Sequence, residues 1–116
     1  FLVQGNSAEP AIRDRYDLTG DVFSIGCGLM RSRSVGYLRM LSAEPNGPLE
    51  IQPNYLAEPG DLEALVTSVQ TIMELAATPA YSEWFVGYAA PDRPMSRAEI
   101  ADFFIDSGST VFYLFT

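Results

Sequence analysis

The clearest pattern in this 116-residue chain is an alternation of apolar and polar positions that gives way to a helical repeat. Residues 36–42 and 49–52 alternate with a period of two, which is typical of paired strands with one apolar face. The segment 43–48, AEPNGP, is rich in turn-forming residues, and Asn46–Gly47 predicts positive φ angles there. We therefore predict an antiparallel hairpin over residues 36–52.

The longest helical repeat comes directly after this hairpin. Apolar side chains recur at the spacing i, i+3, i+4, i+7 from Leu62 to Ala76, which predicts a helix near 61–77 with one apolar stripe. Asp61 stands just before the stripe. We expect its carboxylate to cap the free N–H groups of the first helical turn.

A short helix near 79–86 is predicted next, because proline at position 79 suits the first position of a helix. Its packing residues would be Tyr81, Trp84 and Phe85. An exposed tryptophan can also serve as a platform for a ligand, but the pattern favours Trp84 as a core or interface residue.

A capping box predicts the third helix. Ser96 and Glu99 form the S-x-x-E pattern, in which each side chain hydrogen-bonds the other residue's backbone N–H group. The predicted helix runs near 96–107, and Gly108 ends it.

Two apolar segments predict further strands, near 21–30 and near 110–115. The second is apolar on both faces, which is typical of an interior strand. Together with the hairpin 36–52 they predict an α+β fold, in which one antiparallel sheet is backed by the three helices.

Gly26-Cys27-Gly28 lies at the end of the first of these strands and superficially suggests a dinucleotide-binding turn. That motif needs a third glycine and a helix whose N-terminus faces the pyrophosphate. Arg31 occupies the third position and no helix is predicted after it, so a kinked strand is the better interpretation. Cys27 is the single cysteine, and we expect a buried, inert thiol.

The composition narrows the function classes. The formal charge is −8, with seven arginines and neither lysine nor histidine, so the chain repels nucleic acids and anionic membranes. Without histidine, the commonest general base and the commonest zinc ligand are missing. No apolar run approaches the roughly 20 residues of a membrane span. The cellular compartment stays open.

A family resemblance rests on the hairpin and on the residues between it and the longest predicted helix. The matching positions are Ser34–Pro45 (SVGYLRMLSAEP), Gly47–Pro48, Ile51, Pro53–Leu56 and Asp61. They resemble the start of the C-terminal domain of the glucose–methanol–choline (GMC) oxidoreductases: S-R-G-x-[VL]-x-L-x-S-x-[DE]-P, a turn with proline, an isoleucine, N-Y-L and an aspartate opening a helix. The order and spacing agree over about residues 30–75.

The resemblance implies a flavoprotein that binds FAD on a Rossmann-like domain and removes a hydride from an alcohol carbon. The C-terminal domain would form a wall of the substrate pocket. The family's base is usually a histidine in a T-x-x-H-P-x-G-T segment, where this chain has Tyr113, followed by Leu114. The base is therefore not carried over. Tyr113 becomes a candidate substrate-binding residue that donates a hydrogen bond, unless it is simply buried in an apolar strand.

We accordingly expect residues 1–116 to be one partial domain, since the chain starts at Phe1 and ends inside a predicted strand. Its partners would be an alcohol and an FAD-binding domain of the same polypeptide. The chain alone should hold no FAD and catalyse nothing, and should expose an apolar face. The alternative is a self-contained α+β binding module without catalysis, and a weaker third option is a lyase.

Overall fold

The computed structural model describes residues 2–5 and 10–107, and every structural statement concerns these residues. In chain order the elements are β1 (Leu2–Gly5), α1 (Pro10–Arg15), β2 (Phe23–Gly26), β3 (Tyr37–Met40), β4 (Leu49–Gln52), α2 (Pro59–Ala76), a 3-10 turn (Pro79–Tyr81) and α3 (Arg97–Ser107). Helices and antiparallel strands give the predicted α+β fold class. The strand predicted near 110–115, with Tyr113, lies outside the described residues.

The strands form two separate two-stranded sheets, β1–β2 and β3–β4. We predicted that the strand near 21–30 would share a sheet with the hairpin, and in the described residues this arrangement is wrong. The strand instead pairs antiparallel with β1. The segment between β2 and β3 contains no helix or strand, so no regular element links the two pairs of strands.

The hairpin β3–β4 is confirmed. Its opposed pairs are Tyr37 with Gln52, Leu38 with Ile51, Arg39 with Glu50, and Met40 with Leu49. Strand β3 is shorter than its alternating segment 36–42, because the pairing stops where the turn begins, whereas β4 covers the whole segment 49–52. Leu41 N–H still donates a hydrogen bond to Pro48 O beyond the last pair, at 3.1 Å.

The turn of the hairpin differs from its predicted geometry. Gly47 N–H donates a hydrogen bond to Glu44 O at 2.9 Å, and neither Asn46 nor Gly47 has a positive φ. The positive φ angles of non-glycine residues lie instead after β4, at Asn54 (51°) and Leu56 (57°). Asparagine adopts the left-handed region readily, whereas leucine rarely does. The left-handed backbone conformations expected in the turn therefore lie after the hairpin instead.

Helix α2 begins at Pro59, two residues before the predicted start, with Glu58 as its N-cap and no side-chain cap. The prediction that Asp61 caps this helix is wrong, because Asp61 stands inside the first turn. Helix α3 starts as predicted: Ser96 N–H donates to Glu99 Oε2 at 2.8 Å, and Glu99 N–H donates to Ser96 Oγ at 3.4 Å. The capping box is confirmed.

The helix predicted over 79–86 is only the 3-10 turn Pro79–Tyr81. Turn-type hydrogen bonds continue to Phe85, whose N–H donates to Tyr81 O at 2.8 Å. A segment this short gains too few hydrogen bonds to offset the cost of starting a helix. Trp84, predicted to pack in a core or interface, is 74 % exposed within this chain.

Few apolar side chains are buried in the described chain. They are Val66 and Ala76 on α2 and Ile100 on α3, where the two helices pack together. The radius of gyration is 17.4 Å, whereas a compact domain of this length has roughly 13 Å. The fold is elongated, and much of its apolar surface faces solvent. Among the described residues, no helix combines the length and hydropathy that a membrane span requires.

Candidate functional site

Asp61 is buried at the centre of a junction that joins the segment before β3 to the start of α2. The residue is 2 % exposed, and its carboxylate accepts hydrogen bonds from Ser32 Oγ at 2.6 Å and from Ser34 Oγ at 2.5 Å. The backbone N–H groups of Arg33 and Ser34 donate to it at 2.9 Å and 2.8 Å. We call these four residues the Asp61 junction.

The junction continues into the first turn of the helix. Glu58 N–H donates to Ser34 Oγ at 3.0 Å, and the same hydroxyl donates to Asp61. Ser34 therefore does two things: it satisfies a free N–H group at the start of α2 and points its own proton toward the carboxylate. Such a chain of hydrogen bonds polarises each member, which strengthens the connection.

These contacts hold the Asp61 carboxylate in its charged form. Hydrogen bonds from Ser32 and Ser34, with the backbone N–H of Arg33, hold the pKa of Asp61 well below its ordinary value of 3.8. A position in the first turn of a helix also favours a negative charge. A carboxylate so fully hydrogen-bonded is a poor proton acceptor at neutral pH. The junction is thus suited to positioning a segment and not to acid–base chemistry.

Two further contacts fix the path of the chain at the base of the hairpin. Asn54 Nδ2 donates to Val35 O at 3.0 Å, which joins the exit of the hairpin to its start. Gly36 passes so close to the opposite strand that a Cβ atom there would lie 2.3 Å from Gln52 O. Because that oxygen belongs to the backbone, only glycine fits at position 36 without moving the hairpin.

The hairpin has one apolar face that nothing in the described chain covers. Directly opposed residues share a face of a sheet, and every second residue along a strand shares it as well. That rule places four apolar side chains together: Leu38, Met40, Leu49 and Ile51. They are between 51 % and 72 % exposed. We call this set the apolar face of the hairpin.

The other face of the hairpin carries a polar cluster centred on Glu50. Tyr37 Oη donates to Glu50 Oε1 at 2.8 Å, and Arg39 Nε donates to Glu50 Oε2 at 2.9 Å. Arg39 also forms an ion pair with Glu50. The hydrogen bond to Glu50 raises the pKa of Tyr37. A polar face with internal partners can remain in water, whereas the apolar face gains from being covered.

An open apolar cleft of 590 Å³ lies between β2, α2, α3 and the segment 84–91. Its side chains from the two helices are mostly aliphatic or aromatic, and include Val69, Met73, Ile100 and Phe104. The aromatic pair Phe85 and Tyr88 borders it, with the ring centroids 4.9 Å apart in an edge-to-face arrangement.

Cys27 also lines this cleft. It is half-buried and not fully buried as predicted, and burial raises the pKa of its thiol. A raised pKa leaves little reactive thiolate at neutral pH, which agrees with an inert thiol. The described residues contain no group of three or more side chains that could hold a metal ion.

Gly26 and Gly28 do not form a cradle for the phosphates of FAD. Gly26 and Gly28 stand at the end of strand β2, but the chain from position 27 to 36 contains no helix whose N-terminus could face a pyrophosphate. The kinked end of a strand is the interpretation that the structure supports. We therefore assign no flavin contact to these glycines.

Comparisons with known proteins place the chain in a family. A family model for GMC oxidoreductase, describing the C-terminal domain, matches residues 32–113, and the chain belongs to this family. A curated relative is choline oxidase from Arthrobacter globiformis, 26 % identical over 105 residues. The match covers 88 % of this chain and only 19 % of the relative. No solved structure matches the chain. Its family context is that of flavin-dependent oxidoreductases.

The match contains the hairpin, the Asp61 junction and both long helices. Among the residues that carried the resemblance, Ser34 hydrogen-bonds Asp61 and Asn54 hydrogen-bonds Val35. Tyr113, the candidate for substrate contact, lies outside the described residues. Reasoning from the sequence assigned the Asp61 carboxylate to the N–H groups of the first turn of α2. It missed the hydrogen bonds that Asp61 accepts from Ser32, Arg33 and Ser34. The signal that could have revealed it is the pair of hydroxyl residues Ser32 and Ser34, two positions apart before a strand.

Proposed function

We propose that this chain is the substrate-domain portion of an FAD-dependent oxidoreductase that oxidises the CH–OH group of an alcohol by hydride transfer to the flavin. The observation that carries the proposal is the family match over residues 32–113. Choline oxidase, a relative whose name states its substrate, makes choline the first alcohol to test. The chain spans about a fifth of that relative's length, so the activity belongs to the intact polypeptide.

The chain contributes positioning to this reaction. The Asp61 junction holds the start of the hairpin against the start of α2, and Gly36 allows the two strands to approach closely. A rigid wall of this kind orients a substrate, and orientation removes much of the entropic barrier of a reaction. Another part of the polypeptide holds the FAD, and its surface covers the apolar face of the hairpin.

Tyr113 is our candidate for direct contact with the substrate. It stands where the resemblance places the family's histidine. A tyrosine hydroxyl with an ordinary pKa near 10 is a poor base at neutral pH but a good hydrogen-bond donor. Its role would be to donate a hydrogen bond to the substrate oxygen, and the proton of the alcohol would be accepted elsewhere.

The test uses the intact polypeptide that contains these residues. We expect a purified protein with a flavin absorption band that bleaches under anaerobic conditions when choline or another primary alcohol is added. A protein without the flavin band would contradict the proposal. A flavin band that no alcohol bleaches would favour the lyase, because that chemistry leaves the flavin oxidised.

Tyr113→Phe tests the residue assignment in the same protein. Removing a hydrogen bond to a reacting oxygen should lower kcat/KM roughly 10- to 100-fold. Tyr81→Phe, in the 3-10 turn after α2, is the matched control and should leave kcat/KM within about twofold. Equal values for Tyr113→Phe and the unmodified enzyme would remove Tyr113 from the substrate site.

The absence of histidine from the sequence favours one other candidate function, a binding module without catalysis. A module of this kind needs no flavin and no second domain. An intact polypeptide without a flavin band, which nevertheless binds an alcohol in calorimetry, would support it over the oxidoreductase.

A further inference from the structure

The turn after the hairpin holds a leucine in a backbone conformation that leucine rarely adopts. Ala57 N–H donates a hydrogen bond to Asn54 O at 3.2 Å, which closes a four-residue turn with Leu56 at its third position. The φ angle of Leu56 is 57°. A positive φ at this position usually requires glycine or asparagine, because the Cβ atom of other residues is crowded there. The backbone of Leu56 is therefore strained.

Hydrogen bonds at both ends hold this turn against the start of the hairpin. Asn54 Nδ2 donates to Val35 O at 3.0 Å, and Glu58 N–H donates to Ser34 Oγ at 3.0 Å. Ser34 in turn donates to the Asp61 carboxylate. A strained conformation persists only where its surroundings impose it, and such conformations cluster at functional sites and ligand contacts. The strain therefore indicates that the turn does more than connect β4 to α2.

Tyr55 is the side chain that this turn displays. It lies between the two left-handed residues Asn54 and Leu56, and it is 68 % exposed. A tyrosine provides a large, stiff contact area and loses little conformational entropy when an interface buries it. A backbone that is already fixed lowers the cost further, because the turn does not have to be ordered on binding.

We propose that Tyr55 is a contact residue for the part of the polypeptide that holds the FAD, and that the strained turn Asn54–Leu56 fixes its position at that contact. This inference deepens the proposed function and rests on it. Two points favour this partner over a second copy of the chain. The match covers only 19 % of the curated relative, so most of a polypeptide of that length lies outside this chain. The turn also stands at the base of the hairpin, whose apolar face the same part covers in the proposed function.

Hydroxyl-radical footprinting tests the contact without measuring catalysis. The 116-residue chain and the intact polypeptide are oxidised side by side in dilute solution, and the modification of each tyrosine is measured by peptide mapping and mass spectrometry. We expect Tyr55 to be modified in the chain alone and on the order of fivefold less in the intact polypeptide, because the contact excludes water. Tyr37, on the polar face of the hairpin, is the control and should differ by less than about twofold.

Equal modification of Tyr55 in the two proteins would overturn the proposal, and so would a Tyr55 that is already protected in the chain alone. Protection that appears only when the chain alone is concentrated would identify a second copy as the partner, which also overturns it. An unprotected Tyr55 in a polypeptide whose flavin band an alcohol bleaches would remove this contact and leave the oxidoreductase proposal in place. A protected Tyr55 in a polypeptide without a flavin band would contradict both, since the partner named here holds the FAD.

Variants of Leu56 test the part played by the strain. Leu56→Gly relaxes the backbone, whereas Leu56→Ala also shortens the side chain but keeps the strain. We expect Leu56→Gly to melt about 4 °C above Leu56→Ala, the reverse of the usual order of glycine and alanine. Ala57→Gly, at a neighbouring residue without a positive φ, is the control and should lower the melting temperature.

The relaxed turn should also hold Tyr55 less firmly. In the intact polypeptide, Leu56→Gly should therefore lose about half of the protection of Tyr55 that the unmodified protein shows, while Leu56→Ala should keep it. A Leu56→Ala variant that melts at or above Leu56→Gly would show that the turn is not strained. Equal protection of Tyr55 in the two variants would show that the strain does not fix its position, and either result would overturn that part of the proposal.

Discussion

The Asp61 junction and the hairpin β3–β4 are neighbours in the chain, yet they differ in how completely this polypeptide satisfies them. At the junction a buried carboxylate accepts hydrogen bonds from two hydroxyls and two backbone N–H groups. In the hairpin the polar face has internal partners, and the apolar face is left in solvent. The Asp61 junction, which acts as an anchor, has its hydrogen-bond partners within the described residues, whereas the apolar face of the hairpin has no cover there.

The difference follows from the physical chemistry of a buried carboxylate and of exposed apolar side chains. A buried charge without partners is expensive, so its hydrogen bonds must be supplied by the segment that folds around it. An exposed apolar side chain carries a smaller and non-directional penalty, which another part of a longer polypeptide can remove later. A domain with this arrangement can therefore form its anchor by itself and have its apolar face covered later by another part of the polypeptide.

The largest effect should come from the helix pair. Ile100 is 0 % exposed where α3 packs on α2. Ile100→Ala should lower the free energy of unfolding by about 2–5 kcal/mol, because it removes apolar contacts and leaves a cavity. Ile105→Ala, on the same helix at a residue 66 % exposed, should change it by less than about 0.5 kcal/mol. Urea denaturation of both variants, monitored by circular dichroism, measures the difference.

The next effect concerns the junction. Asp61→Asn removes the charge and points N–H groups at a site surrounded by donors, so hydrogen bonds from Ser32 and Ser34 are lost. We expect the melting temperature to fall by about 5–10 °C. Glu74→Asn, on an exposed turn of α2, is the control for introducing asparagine into this helix. Similar melting temperatures for the two variants would show that the junction is not an anchor.

Melting temperatures measured over a range of pH distinguish the contribution of the Asp61 junction to stability from that of an exposed ion pair. The hydrogen bond from Arg93 and those from Ser96 lower the pKa of Glu99 from 4.5 to about 2. Since the folded pKa is below the ordinary value, Glu99 contributes stability that is present above pH 4.5 and is lost as the pH falls toward 2. Glu99→Gln should flatten this loss slightly, because an exposed pair contributes little.

Protonation of Asp61 also destabilises the fold. The stability that its charge contributes is lost as the pH falls below 3.8, the ordinary pKa of an aspartate. Asp61 is buried, whereas the Glu99 side chain is 42 % exposed and its interactions are screened by solvent, so the acid-induced fall in melting temperature should be reduced more by Asp61→Asn than by Glu99→Gln. The reverse order would contradict the assignment of the anchor. Dilute samples are needed, because the net charge is near zero around pH 4.2.

The smallest effect on stability is expected in the hairpin. Leu38→Thr with Ile51→Thr should change the free energy of unfolding of this chain by no more than about 0.5 kcal/mol, because both side chains are exposed. The same change should reduce self-association of the isolated chain in light scattering, since it shrinks the apolar face. Thr67→Ser with Thr71→Ser, on exposed turns of α2, is a control for the double substitution.

A large loss of stability in the hairpin variant would mean that this chain does cover the apolar face. Unchanged association would mean that the face is not the surface through which copies meet. Either result would reduce the difference in how completely this chain satisfies the hairpin and the Asp61 junction.

Elements with a strong local pattern could be predicted from the sequence. The hairpin follows from its alternation, α2 from its apolar stripe, and the start of α3 from the Ser96–Glu99 capping box. The α+β class follows from these elements in their order, and the family resemblance follows from the residues of the hairpin and of the segment that joins it to α2. In each case the interactions that decide the structure lie within a few residues along the chain, or across one tight turn.

Only the tertiary structure decided where these elements go. It paired the strand near 21–30 with β1 and not with the hairpin. In the folded chain Asp61 does not cap the helix but accepts hydrogen bonds from Ser32 and Ser34, which lie 29 and 27 positions away. Such partners are chosen by the free energy of burying a charge with its donors, and no local periodicity records that choice. The sequence determined the strongly patterned elements, and long-range packing and hydrogen bonding determined the contacts that each of them makes.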